Sequence, residues 1–151
     1  MLEAIRAMPS HFALGARFAG DSGVRYAGQV RNVVICGMGG SAFPGDLLAL
    51  ALAEAEVPVV VSRSYTVEAP IGEQTLVVAS SFSGNTEETL SALGHARAAG
   101  AKVVVLTAGG KLEQIARADE LPLILLQKPN PDFQPRAATA FFVGALLQSR
   151  G

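Results

Sequence analysis

Two stretches of the chain collect side chains suited to holding an anion. Residues 81–90, SFSGNTEETL, place Ser81, Ser83 and Thr86 close together, with Gly84 and Asn85 between them and no negative charge before Glu87. Residues 36–46, CGMGGSAFPGD, set Gly37, Gly39 and Gly40 ahead of Ser41. Hydroxyls and unpaired backbone N–H groups at the mouth of a helix donate hydrogen bonds to an anion, and glycine lets the backbone approach it closely. Such a neutral, many-donor cradle suits a phosphate monoester. The second stretch also admits a purely structural reading, in which Asn85 is an N-cap and Glu88, three residues on, closes a capping box. Two such stretches at neighbouring strand ends favour phosphate binding over capping alone.

The elements that must position these loops follow from the hydrophobic pattern. Short aliphatic runs recur at 32–37 (NVVICG), 57–62 (VPVVVS), 75–81 (TLVVASS), 102–107 (KVVVLT) and 121–126 (LPLILL). Near-continuous apolar strands are what a parallel sheet covered on both faces requires. Helix-length segments at 41–55, 86–99 and 110–118 lie between them. The expectation is an α/β fold, a three-layer doubly wound sandwich around a five-stranded parallel sheet of flavodoxin-like type, occupying residues 1–151 as a single domain. Residues 63–74 (RSYTVEAPIGEQ) join two strands without a helical period and are expected to form a long loop. The polar, proline-containing run 127–135 breaks structure after the fifth strand, and a final helix is expected from about Arg136. Its segment AATAFFVGALL (137–147) carries no charge. An exposed helix would show a polar face, so this one is either buried within the domain or meant for a partner, and the partner reading is slightly favoured.

Composition narrows the function classes. The chain has 151 residues, 50% of them hydrophobic and 17% charged, with a net charge of −1. Nothing marks it as disordered or as drawn electrostatically to nucleic acid. Cys36 is the single cysteine, which rules out an internal disulfide framework or a CxxC site and fits a reducing, cytoplasmic setting. The start, MLEAIRAMPSHF, carries Glu3 and Arg6 among its apolar residues and reads as an amphipathic lead-in helix rather than a signal peptide. No apolar run reaches the roughly 18–20 residues a bilayer-spanning helix needs, so no membrane partner is expected.

The same residues bear on other phosphate ligands. No Walker G-x-x-x-x-G-K-[ST] is present. GMGGSA satisfies the loose dinucleotide pattern G-x-G-x-x-A, which calls for an acidic residue at the end of the second strand. That strand ends instead in Ser62, Arg63 and Ser64. Arg63 would suit a 2′-phosphate, so an oxidoreductase domain using NADP remains an alternative, although it leaves the hydroxyl-rich loop without a role.

GMGGSA after the first strand and SFSGNTEET after the third closely resemble sugar isomerase (SIS) domains, the phosphosugar-binding module of several enzymes and regulators. The segment NPDFQPRAATAFFVGALL is similar to the end of the first domain in the bifunctional phosphoglucose/phosphomannose isomerases. The resemblance implies interconversion of glucose 6-phosphate or mannose 6-phosphate with fructose 6-phosphate, in carbohydrate metabolism such as glycolysis and gluconeogenesis. It places phosphate contacts at Ser41, Ser81, Ser83 and Thr86, with backbone contributions from Gly39, Gly40, Gly84 and Asn85. It makes Arg136 the group that stabilises the enediolate, a role that suits a fixed guanidinium beside developing negative charge. A cation at a helix start sits poorly with the helix dipole, which itself argues for an anionic partner there. No metal and no cofactor are called for.

In the family the general base and the ring-opening acid come from the second SIS domain and the segments following it. This sequence has no second SIS domain, so the isolated chain is expected to bind sugar phosphates but to turn them over poorly or not at all. Glu87 and Glu88 are explained as first-turn residues complementing the helix dipole, and Glu73 lies in a loop. His95 is expected on the solvent side of its helix, with Leu90, Leu93 and Gly94 toward the core, and His11 lies in the lead-in helix. The expected partner is a second copy of the chain or the missing C-terminal SIS domain. A stand-alone, non-catalytic phosphosugar-binding regulatory module is the other alternative.

Overall fold

The computed structural model describes residues 6–23, 30–128, 133 and 138–148. In chain order its elements are α1 (Met8–Ser22), β1 (Asn32–Cys36), a 3-10 turn (Gly39–Ser41), α2 (Phe43–Ala51), β2 (Val59–Ser62), β3 (Thr75–Ser81), α3 (Glu87–Ala98), β4 (Lys102–Thr107), α4 (Gly110–Ala118), β5 (Leu123–Leu125) and α5 (Thr139–Gln148). The strands form one five-stranded sheet in the order β2-β1-β3-β4-β5, and every pairing is parallel.

Strand side chains alternate between two cores, which is why the strands read as unbroken apolar runs. Ile35, Val78, Val104, Leu106 and Ile124 face the layer of α1, α2 and α5, where Ala19, Leu48, Phe141, Phe142 and Ala145 meet them. Val34, Cys36, Val77, Ala79, Val103 and Val105 face the opposite layer, filled by Ala92, Leu93 and Ala96 of α3 and by Leu112 and Ala116 of α4. The 63–74 connection has no helix, as expected, and still contributes to this second core: Val67 is buried in it, with Ala69 and Ile71 packed alongside. His95 pins that segment, its Nδ1 accepting a hydrogen bond from the Val67 N–H at 3.0 Å. His95 is on the exposed side of α3 and Leu93 on the buried side as expected, but Gly94 is exposed rather than core-facing.

Two boundaries differ from the sequence reading. The segment expected as a helix over 41–55 opens with the 3-10 turn, and the α-helix runs only from Phe43 to Ala51, with Pro44 in its first turn. Proline is tolerated there because that N–H has no partner within the helix. The fifth strand is short, yet pairing continues past it, since Val105 N donates to Pro122 O and Leu126 N to Thr107 O.

The uncharged last helix is a core helix, contrary to the partner reading. Ala140, Phe141, Phe142, Gly144, Ala145 and Leu146 are all buried. The physical reason is a glycine contact with α1: a β-carbon on Gly15 would stand 2.0 Å from the Phe141 carbonyl oxygen, and one on Gly144 would stand 2.1 Å from that of Phe12. Two backbones this close leave α5 no apolar face to offer, apart from the exposed Leu147 near its end. His11 is part of the same seam, stacked on Phe141 at 4.6 Å and edge-on to Phe133 at 5.4 Å. It is buried, with Nδ1 unpartnered among the described residues, a packing position rather than that of an accessible acid or base. The apolar side chains that do stay exposed include Phe43, Leu47 and Leu50, one stripe of α2.

Candidate phosphosugar site at the β1 and β3 strand ends

β1 and β3 are neighbours in the sheet, but the chain leaves β1 toward β2 on one side and leaves β3 toward β4 on the other. Their C-terminal ends therefore diverge and open a crevice, the place where ligands bind in open α/β sheets. The glycine loop 37–42 and the hydroxyl loop 82–86 are those two strand ends.

Three side-chain hydroxyls are drawn together in the second loop. Ser81 Oγ lies 2.8 Å from Thr86 Oγ1 and 3.4 Å from Ser83 Oγ, and it accepts a hydrogen bond from the Gly84 N–H at 3.2 Å. Ser81 is buried at the last position of β3, whereas Ser83 is exposed and Thr86 half-buried. Ser81 is thus the hub of the cluster, and Ser83 and Thr86 form its open surface. Gly84 has φ +68°, and a β-carbon there would meet the Gly109 carbonyl oxygen at 1.7 Å, so only glycine fits.

Ser41 joins the two loops. Its Oγ accepts the Phe82 N–H at 3.1 Å, and its carbonyl accepts the Ser80 hydroxyl at 2.9 Å. A hydroxyl that accepts one hydrogen bond still has a proton to donate. Gly39, with φ +49°, and Gly40 are exposed at the turn before it, and the space where a Gly39 β-carbon would stand is open. The structure brings Gly39, Gly40, Ser41, Ser81, Ser83, Gly84, Asn85 and Thr86 to one edge of the sheet. Arg136 lies outside the described residues. Phe133, three positions earlier in the sequence, packs its ring 5.8 Å from Phe82, the residue between Ser81 and Ser83.

The capping reading of this loop does not hold. Thr86, not Asn85, is the N-cap of α3, with extended backbone and no side-chain capping bond, and Glu87 and Glu88 are in the first turn. Asn85 turns its amide elsewhere: Nδ2 donates to Ser83 O at 3.1 Å, and Oδ1 accepts the Lys111 N–H at 3.1 Å. The first N–H groups of α3 therefore keep no side-chain cap, and helix-start donors without one are free to meet an anion. α2 likewise starts without a side-chain cap beside Ser41.

Two contributors escaped the sequence reading. The β4–α4 turn, with Gly109 and Gly110, packs directly on the hydroxyl loop; the paired glycines of its TAGGK sequence are the one local signal of it, and it has no hydroxyl beyond Thr107 to mark an anion cradle. Lys128 carries its Nζ 5.8 Å from the centre of the Phe82 ring, a proximity that no local pattern foretold. Arg63, the residue proposed for a 2′-phosphate, forms an ion pair with Asp46 of α2, which already occupies the guanidinium that an NADP reading requires. Lys128 also lines a groove of about 520 Å³ between α1 and β5, together with Leu14, Phe18, Leu123 and Leu125.

A doubly wound sheet whose switch-point crevice is walled by a glycine turn and a hydroxyl loop has the architecture of SIS domains, and the comparisons show that family. Residues 28–148 match the SIS domain family, and the chain belongs to it. It is 45% identical over 122 residues to the bifunctional phosphoglucose/phosphomannose isomerase of Caldicellulosiruptor bescii, covering 80% of this chain and 35% of that one. It is 43% identical over 96 residues to the D-glucosamine-6-phosphate 4-epimerase of Sulfolobus acidocaldarius, covering 63% of this chain and 30% of that protein. The chain thus spans about a third of the length of these curated relatives. Among solved structures, tagatose-6-phosphate ketose/aldose isomerase from Escherichia coli superposes with a TM-score of 0.65 at 18% identity, over 97% of this chain and 46% of that one. The hypothetical protein MJ1247 of Methanococcus jannaschii superposes with a TM-score of 0.66 at 14% identity, over 96% and 86%. At these identities the structural matches establish the fold.

Proposed function

We propose that this chain is the phosphosugar-binding N-terminal SIS domain of an aldose-ketose isomerase that interconverts glucose 6-phosphate or mannose 6-phosphate with fructose 6-phosphate. The observation that carries the reading is the cluster of Ser81, Ser83 and Thr86 hydroxyls in front of the uncapped start of α3. A phosphate dianion there would replace hydroxyl–hydroxyl contacts by charge-assisted hydrogen bonds, which are about twice as strong as neutral ones. It would also meet the positive end of a helix dipole. The 45% identity to a bifunctional phosphoglucose/phosphomannose isomerase supports the substrate class.

In this reading the phosphate anchors the sugar, and the reacting carbons extend away from the hydroxyl loop. Arg136 stabilises the oxyanion that develops as a proton moves between C1 and C2. The packing of Phe133 on Phe82 supports a role at this site for the segment that follows it. Three described carboxylates are poor candidates for the general base: Glu87 and Glu88 are first-turn residues of α3, and Glu73 is exposed in the turn before β3. The base and the ring-opening acid would come from a partner unit, either a second copy or a second SIS domain. Binding needs no cofactor.

The test is a calorimetric titration of the chain with fructose 6-phosphate, using free fructose and inorganic phosphate as controls, followed by an isomerase assay on the same sample. The expected result is binding of fructose 6-phosphate and phosphate, none of free fructose, and little or no turnover. Failure to bind either phosphate compound at millimolar concentration would overturn the reading. Turnover by the isolated chain would move the base inside these residues.

A further inference from the structure

Asn85 neither caps α3 nor contributes through its backbone alone, because its side chain spans two loops. Its Nδ2 donates to the carbonyl of Ser83 within its own loop, and its Oδ1 accepts the amide of Lys111 in the first turn of α4. The N-cap of α4 is Gly109, which has no side chain to cap the helix with. Asn85 therefore supplies from another element the acceptor that the start of this helix lacks.

The contact between the loops is close along its whole length. Leu112 N donates to Gly84 O at 2.9 Å and Ala108 N to Phe82 O at 3.2 Å. A β-carbon on Gly110, which has φ +75°, would stand 2.3 Å from Ser83 O and 3.0 Å from both amide atoms of Asn85. Thr107 Oγ1 closes the turn from beneath, donating to Gly109 O at 2.8 Å and accepting the Gly109 N–H at 3.2 Å.

What this clamp controls is Ser83, the exposed hydroxyl of the cradle. The bonds to Ser83 Oγ are long, 3.4 Å from Ser81 Oγ and 3.3 Å from Asn85 N, near the limit of useful hydrogen bonding. The firmer hold is on its carbonyl, gripped by Asn85 Nδ2 at 3.1 Å and walled by Gly110. We infer that Asn85 is a positioning residue which latches the β4–α4 turn to the hydroxyl loop as a third wall of the site, fixing Ser83 in the orientation that receives the phosphate. The inference rests on the phosphosugar reading above. A fixed donor costs less ordering when the ligand arrives.

The experiment compares the full chain with N85A and N85D, each titrated with inorganic phosphate and with fructose 6-phosphate, alongside melting curves and amide hydrogen exchange at Lys111. N85A should lose about tenfold in affinity for both compounds, the usual size for one lost hydrogen bond, and should expose the Lys111 amide to faster exchange. N85D keeps an acceptor for that amide, so its exchange should stay slow, while the lost donor and the added charge should weaken binding more than in N85A. A purely structural residue would lower the melting midpoint and leave the affinity of the folded protein unchanged, and that outcome would overturn the inference. If N85A does not fold, the isosteric N85D decides alone, wild-type affinity counting against the latch. Absence of phosphate binding by the unmutated chain would remove the phosphosugar reading and the latch together, whereas binding that is equal in all three proteins would remove the latch only.

Discussion

Ser81 Oγ and Thr86 Oγ1 stand 2.8 Å apart, joining the last residue of β3 to the N-cap of α3 across the turn that Gly84 makes possible. In this arrangement the buried member organises the exposed ones. The double substitution Ser83→Ala with Thr86→Ala should therefore leave the fold intact, because both side chains lie at the surface of the cluster. It should weaken fructose 6-phosphate binding by about two to four orders of magnitude, as two lost charge-assisted hydrogen bonds at about 1.5–3 kcal/mol each imply. Calorimetry and a far-ultraviolet spectrum on the same sample check both halves, and unchanged affinity would remove these hydroxyls from the site.

The α1–α5 seam makes a prediction about stability alone. Gly144→Ala places a methyl group where the Phe12 carbonyl oxygen lies 2.1 Å away, with the Ala16 amide nitrogen at 3.0 Å. Both neighbours are backbone, so the helices must separate, at a cost of about 1–3 kcal/mol for overpacking. The melting midpoint should fall by several degrees. Gly94→Ala on the exposed side of α3, where no atom lies within 4 Å of the added carbon, should be neutral or slightly stabilising by helix propensity.

Cys36 offers an alkaline test of burial. Burial pushes its thiol from 9.0 up to about 12. The thiol is essentially neutral in both folded and unfolded chains well below 9.0, so little stability is lost there. Between pH 9 and 12 only the unfolded chain ionises, and stability declines with a slope approaching about 1.4 kcal/mol per pH unit. Cys36→Ala should remove that part of the decline, as read by denaturant melts at pH 8 and pH 10.5. Alkylating reagents should leave the native thiol unmodified at pH 8.

Arg136 should separate binding from chemistry. In a form of the protein that turns over fructose 6-phosphate, Arg136→Ala should lower kcat by about 10²–10³, the usual size for removing one oxyanion-stabilising donor. It should alter phosphate affinity far less. Equal losses in kcat and in phosphate binding would make Arg136 a phosphate ligand instead.

Much of the fold was legible because its signals are local. The five apolar runs are the five strands, since a sheet covered on both faces leaves no polar alternation to confuse the pattern. The glycine turn and the hydroxyl loop were legible for a similar reason: their residue types are unusual where they stand, and parallel connections carry both to the same edge of the sheet. The capping box at Asn85 and Glu88 was a sound local pattern that a competing donor defeated, because the Lys111 N–H, distant in sequence, takes the Asn85 Oδ1 that a cap would have used.

Taken by itself, the sequence determined the alternation of elements, the identity of the two loops and the family they mark, all of which depend on neighbours within a few residues. The tertiary structure decided the rest. Only there does the uncharged last helix prove to be core, because Gly15 and Gly144 let two backbones from opposite ends of the chain touch. Only there does the Gly109–Gly110 turn become a wall of the site, because β4 lies beside β3 and brings its end against Ser83 and Gly84. Hydrophobic periodicity says that a face will be buried; which surface covers it depends on long-range packing that no local pattern contains.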